Sequence, residues 1–175
     1  QPQDGVAAVL AVLALAAALL TGSLPAALAL DGGATVTTSV VADKDMTTFW
    51  PYGLTVGADN ITIDGNGHSL TYIGYVGSGE QYGIFCTGRS NVTIKNFSKI
   101  SGFDHGFRIF GGTNIVIENC GLEGNAVTGI FSANAADLTI RNCTIRETNL
   151  ALDFSYGVTN LRLNNNLLLG GRAPI

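Results

Sequence analysis

The chain has 175 residues, with 9 basic and 13 acidic side chains and a net charge of −4. That balance excludes a nucleic-acid binder, which carries a clustered basic footprint, and 46% hydrophobic against 13% charged residues excludes a disordered chain. One domain is expected at this length, and 23 glycines with only 4 prolines and no G-X-Y period exclude collagen and point to tight turns between short strands.

The first predicted element is apolar. From Gly5 to Leu30 there is no charged residue, and every residue from Val6 to Leu20 is Ala, Val or Leu. These are strong helix formers apart from Val, so a helix is expected over residues 1–30. It is apolar all round and needs lipid or protein on every side. The 26 residues from Gly5 to Leu30 would span about 39 Å as a helix, enough to cross a hydrocarbon core of about 30 Å with tilt. Three readings stand side by side. Ala27-Leu28-Ala29 is a signal-peptidase-like A-x-A site, although Gln1-Pro2-Gln3-Asp4 has no basic n-region. The length also permits a membrane anchor. The third reading is a filament-core helix. The short polar start, Asp4 and the unbroken Ala/Val/Leu run resemble a mature type IV pilin-like subunit of archaeal type, although position 5 is not glutamate. This resemblance implies a homo-polymer whose helices pack through Val6, Val9, Leu10, Leu13, Ala14 and Ala17, with small Ala side chains permitting close approach.

Residues 31–52 are expected to connect and to cap, with Thr35 to Val41 covering one end of the body. The body itself, residues 53–175, is a repeat. All 14 asparagines lie beyond position 59. Asn91-Val-Thr-Ile-Lys-Asn, Asn114-Ile-Val-Ile-Glu-Asn, Asp137-Leu-Thr-Ile-Arg-Asn and Asn160-Leu-Arg-Leu-Asn-Asn recur every 23 residues, and Asn60-Ile-Thr-Ile-Asp-Gly is an earlier member with a longer coil behind it. Apolar residues alternate within each unit, the period of a strand with one buried face. Ile61 and Ile63, Val92 and Ile94, Ile115 and Ile117, Leu138 and Ile140, and Leu161 and Leu163 are predicted to form two inward columns.

A second strand follows at Gly83-Ile-Phe-Cys86, Gly106-Phe-Arg-Ile109, Gly129-Ile-Phe-Ser132 and, with a coil one residue shorter, Ala151-Leu-Asp-Phe154. A third apolar position recurs at Leu122, Ile145 and Leu168. Three short strands per unit, joined by turns too short for helices, predict an all-β solenoid whose coils stack at about 4.8 Å. The repeats from Gly53 to Leu169 resemble a right-handed parallel β-helix of the pectate-lyase-like class, similar to NosD-like periplasmic proteins. That resemblance implies a single-stranded parallel β-helix of about five coils. Asn96, Asn119, Asn142 and Asn165 are expected to form an internal hydrogen-bonding ladder that sets register. The short tail ending Gly171-Arg-Ala-Pro-Ile175 is expected to leave the last coil to Pro174 or to a neighbouring subunit.

Cys120 and Cys143 share one column, and their spacing is compatible with stacked thiols or with a disulfide. Neither a C-x-x-C pair nor a nearby His supports a metal site, and no cofactor is expected. Four N-x-[ST] sequons occur. Asn60 and Asn91 precede strands and are the candidate glycosylation sites, while Asn96 and Asn142 belong to the ladder. The candidates for chemistry are Asp104, His105 and Arg108, then Asp64 with His68, then Asp153. The β-helix enzymes of this class are polygalacturonases and pectate lyases; the opposed carboxylates of glycoside hydrolysis are not apparent here. An expanded coil from Tyr72 to Gln81 places Tyr72, Tyr75 and Tyr82 near a protruding loop suited to recognition. The expected function is structural: an extracellular, cell-surface filament subunit with helices in the core and β-helices outside. The alternative is a secreted β-helix that binds or cleaves polysaccharide.

Overall fold

The computed structural model describes residues 30–75 and 80–169. They form three parallel six-stranded sheets wound as one solenoid. The coils, in chain order, are β1 (Ala34–Val36), β2 (Val40–Val41) and β3 (Met46–Thr48); β4 (Tyr52–Val56), β5 (Thr62–Asp64) and β6 (Ser69–Tyr72); β7 (Tyr82–Thr87), β8 (Ser90–Lys95) and β9 (Lys99–Ser101); β10 (His105–Phe110), β11 (Thr113–Glu118) and β12 (Gly121–Glu123); β13 (Thr128–Ala133), β14 (Ala136–Arg141) and β15 (Thr144–Arg146); and β16 (Leu150–Ser155), β17 (Arg162–Asn164) and β18 (Leu167–Leu169). The first sheet is β1-β4-β7-β10-β13-β16; the second and third collect the other two strands of each coil.

The register is the one that the 23-residue period dictates. Val92 pairs with Ile115 and Ile115 with Leu138, while Ile130 pairs with Leu152 through the shortened coil. Alternation then sends every second side chain inward, and Ile63, Ile94, Ile117 and Ile140 stack fully buried. Met46, Leu70, Ile100, Leu122 and Ile145 form the matching column of the third sheet. Each such side chain contributes about 1.5–3 kcal/mol, so these columns carry the fold. In the first sheet Ser132 interrupts the corresponding inward column: it is fully buried between Ile109 and Phe154, and its hydroxyl has no partner among the described residues.

Two expectations change. The coils number six, not about five, because the supposed capping stretch supplies β1, β2 and β3 as a genuine first coil. Its Val36, Val40 and Met46 are buried. The asparagine ladder is real in its hydrogen bonds but is not internal. Asn119 Nδ2 donates to Asn96 Oδ1 at 3.1 Å and Asn165 Nδ2 to Asn142 Oδ1 at 2.8 Å, yet Asn119, Asn142 and Asn165 are exposed. The cause is backbone geometry. Asn96, Asn119, Asn142 and Asn165 have φ between 51° and 59°, the left-handed conformation that Asn tolerates best among residues with a side chain. They turn the chain from the second sheet to the third. Asn60, Asn91, Asn114, Asp137 and Asn160 do the same at the entry to the second sheet, with φ of 51–59°.

The predicted helix, with Val6, Val9, Leu10, Leu13, Ala14 and Ala17, lies outside the described residues, as do residues 76–79 of the expanded coil and the tail at 170–175. Where the description begins, Leu30 is buried in the core. At the other end the inward residues of the last coil are uncovered: Leu163 and Leu168 are each 46% exposed.

Candidate functional site

The richest chemistry lies on the outer face of the first sheet. The residue that follows the inward Ile or Phe of each repeat points outward, giving the row Thr55, Phe85, Arg108, Phe131 and Asp153 in register. Beside it runs the row Tyr52, Tyr82, His105, Thr128 and Leu150. Stacking at one coil spacing turns these rows into a continuous aromatic strip. Tyr52 and Tyr82 stack at 5.6 Å with their planes 5° apart, and Phe85 lies 4.9 Å from Tyr52 and 5.5 Å from Tyr82.

Arg108 sits within this strip. Its guanidinium carbon lies 4.8 Å from the Tyr82 ring centre and 5.0 Å from that of Phe131, so two rings hold the cation. Glu80 reaches it at 3.7 Å.

His105 is drawn into the scaffold. Its Nδ1 is 2.6 Å from Thr128 Oγ1, its ring lies between those of Tyr82 and Phe131 at 5.5 and 5.9 Å, and it is 9% exposed. Burial, then the neighbouring Arg108, pushes the imidazole below its ordinary value against the opposing pull of Asp104, Glu80 and Asp153. It is therefore a neutral ring near pH 7, held by Thr128. Asp104 is also committed: Oδ2 accepts the Gln81 backbone amide at 3.2 Å, and its carbonyl accepts Val127 and Thr128 amides at 2.8 and 3.0 Å. Asp153 accepts from Ser155 Oγ at 3.0 Å. Asp104, His105 and Arg108 thus share one region: His105 is buried and braces it, while Asp104 and Arg108 are both half-buried.

Asp64 and His68 do not pair. Asp64 accepts from Asn96 Nδ2 at 3.0 Å and from the Asn66 amide at 2.9 Å, with Lys95 at 3.5 Å. Burial works against its charge, but those donors prevail and hold the carboxyl below the usual carboxylate range. His68 Nδ1 lies 3.5 Å from Asp45 instead. Tyr82 is a buried strand residue, not part of a protruding loop, and Tyr72 packs its ring on Phe103 at 5.5 Å. Tyr75 is exposed.

The three cysteines are buried thiols. Burial pushes Cys86 up to about 12, and the hydrogen bond to Cys143 together with burial raises Cys120. The same hydrogen bond lowers Cys143, against the opposing effect of its burial. Of the sequon asparagines, Asn91 Nδ2 donates to Asn60 Oδ1 at 2.9 Å and Asn96 Nδ2 to Asp64. A glycan on either would break a ladder bond. Among the described residues no group of three or more His, Cys, Asp and Glu is placed to hold a metal, and no helix is long and apolar enough to cross a membrane.

A family model for the right-handed β-helix region matches residues 24–168. The chain belongs to the right-handed β-helix family. No curated protein matches the chain. A crystal structure of a "putative glycosyl hydrolase" from Parabacteroides merdae is similar over 78% of this chain and 81% of that one, with a TM-score of 0.49 and 13% identity. A likeness of that degree says nothing about activity.

The outward row was missed in reading the sequence, although its signal is present. In Gly83-Ile-Phe-Cys86, Gly106-Phe-Arg-Ile109 and Gly129-Ile-Phe-Ser132 the third residue must oppose the inward second and fourth. Reading the alternation outward as well as inward yields Phe85, Arg108 and Phe131.

Proposed function

We propose that this β-helix binds a carbohydrate chain on the outer face of its first sheet and does not cleave it. The observation that carries the reading is Arg108, clamped between Tyr82 and Phe131 in an aromatic strip that runs along the solenoid axis. Planar guanidinium donors fixed in this way lose little freedom on hydrogen-bonding a sugar hydroxyl or carboxylate. Phe85 and Tyr52 supply apolar surface alongside. Binding without cleavage is the reading we favour because His105 Nδ1 is held by Thr128 Oγ1 and Asp104 Oδ2 by the Gln81 amide. Secretion to the cell surface accords with such a ligand. Replacing Arg108 with alanine is expected to weaken binding of the best ligand from a glycan array at least tenfold, with the melting temperature little changed. Unaltered binding, or chain cleavage that depends on His105, overturns the reading.

A second reading keeps the filament. It is favoured by the last described coil, where the exposed Leu163, Leu167 and Leu168 offer apolar surface to another copy. In it the Val6–Leu20 segment packs between subunits in the manner of a pilin-like core. Negative-stain microscopy of the full chain is expected to show fibres, and Ala14→Asp to abolish them while leaving the β-sheet circular dichroism intact. Dispersed particles of the unaltered chain overturn it.

A further inference from the structure

The solenoid carries a second concavity, on the side away from the aromatic strip. It is a groove of about 440 Å3 at the corner between the second and third sheets, over the third to fifth coils. That volume falls in the range of about 300–1,000 Å3 usual for small-molecule sites. Its floor is a missing side chain. In the outward row Ser69, Lys99, Gly121 and Thr144, only Gly121 has no Cβ, because a Cβ there would run into the Ser98 carbonyl oxygen of the coil before. The close approach of two coils that demands glycine therefore also opens the notch.

The polar groups around the notch are uncommitted. Lys99 is exposed and has no carboxylate partner among the described residues. The asparagine ladder has its one break here. Asn119 donates to Asn96 and Asn165 to Asn142, but no hydrogen bond links Asn142 to Asn119. The parallel ladder at the entry to the second sheet also breaks between these coils, with a plain reason: Asp137 stands there and has no amide to donate to Asn114. Asn142 has the amide and does not spend it on its neighbour. The groove thus holds a free acceptor (Asn119 Oδ1), a free donor (Asn142 Nδ2), the Thr144 hydroxyl and an unpaired ammonium. Its far wall is neutralised, since Arg146 Nη2 bonds Glu123 Oε2 at 2.8 Å.

We propose that this groove binds a single sugar unit bearing an oxyanion, carboxylate or sulfate. Lys99 meets the anion, and the paired acceptor and donor of Asn119 and Asn142 close on adjacent hydroxyls, completing the ladder through the ligand. Neutral and cationic small molecules satisfy the amides but leave the ammonium unmatched. This site goes beyond the carbohydrate reading of the first sheet, and the two are separable because they share no residue.

The test is titration of the 15N-labelled chain with a hexuronate disaccharide, a sulfated hexose disaccharide and a neutral disaccharide. At least one charged probe is expected to shift the side-chain amide resonances of Asn119 and Asn142 and to bind at least tenfold more tightly than the neutral one. The charged probe that binds names the anion. Lys99→Ala and Asn142→Asp, the latter compatible with a φ of 54°, are each expected to weaken that binding at least tenfold, while Arg108→Ala leaves it unchanged. Thr144→Val serves as a further groove variant should either fail to melt like the parent. The proposal falls if neither charged probe moves those amides, if the neutral probe binds equally well, or if Arg108→Ala abolishes binding while the groove variants do not. That last result assigns the ligand to the first sheet and leaves the earlier reading standing.

Discussion

Asn125→Ala is expected to lower the free energy of unfolding by about 3 kcal/mol, the cost of leaving two buried backbone groups unpaired. Asn125 has no exposed surface. Its Oδ1 accepts the Phe103 amide at 3.3 Å and its Nδ2 donates to the Ile100 carbonyl at 3.0 Å. Both partners belong to the coil before, at the point where the chain leaves β9 and turns toward β10. Ile100 lies in β9, whereas Phe103 lies beyond its end, where the ladder of the third sheet no longer supplies a partner for its amide. Alanine removes acceptor and donor together and leaves a small void at a fully buried position. Denaturant titration of the variant measures the change. Asn125→Asp keeps an acceptor for Phe103 but loses the donor to Ile100 and buries a charge, so it is expected to be no better than alanine. A loss below 1 kcal/mol for both variants would mean that the turn relaxes onto other partners.

Asn125 also shows where sequence reasoning stopped. The repeat made the columns of the second sheet readable because each position recurs every 23 residues with the same chemistry, from Val92 through Ile115 to Leu138. Asn125 does not recur: Thr148, also buried, occupies the equivalent turn of the next coil and bonds the Leu150 carbonyl instead. A structural device used once leaves no period to detect. The first coil escaped for a related reason. Its strands are two or three residues long and lack the Asn-x-x-x motif, so β1–β3 read as a connector.

The surface asparagines illustrate the opposite difficulty. Their period was plain, but periodicity alone does not tell an inward column from an outward turn. Only the positive φ shared by Asn96, Asn119, Asn142 and Asn165 decides it. For the candidate site, the proximity of Asp104, His105 and Arg108 was legible as one short segment. What each does was not, because their roles depend on Gln81, Thr128 and Phe131 from the coils on either side. Stacking creates those contacts at a sequence distance of a whole coil.

Gly106→Ala is expected to destabilise the chain by about 3 kcal/mol, at the upper end of ordinary overpacking costs. A Cβ on Gly106 would lie 2.6 Å from the Gly129 carbonyl oxygen, 2.5 Å from Leu122 Cδ2 and 3.1 Å from Asn125 Nδ2. The first of these is backbone and cannot rotate away. The second is a core side chain of β12 in the same coil, and the third is the amide that bonds Ile100. Relieving the clash therefore means parting two coils of the first sheet or disturbing Asn125. The chain supplies its own control. Gly83, Gly106 and Gly129 each aim this missing Cβ at the carbonyl of the following coil, at 2.5, 2.6 and 2.7 Å. In the last described coil the equivalent residue is Ala151, where no described strand lies beyond to be struck. Alanine thus stands at the one position of this row that faces no further described strand. Gly129→Ala, facing Ala151, is expected to cost less than Gly106→Ala, since its Cβ meets the carbonyl at 2.7 Å and disturbs no buried asparagine amide. Equal costs for the two, measured by denaturant titration, would place the strain within each coil rather than between coils.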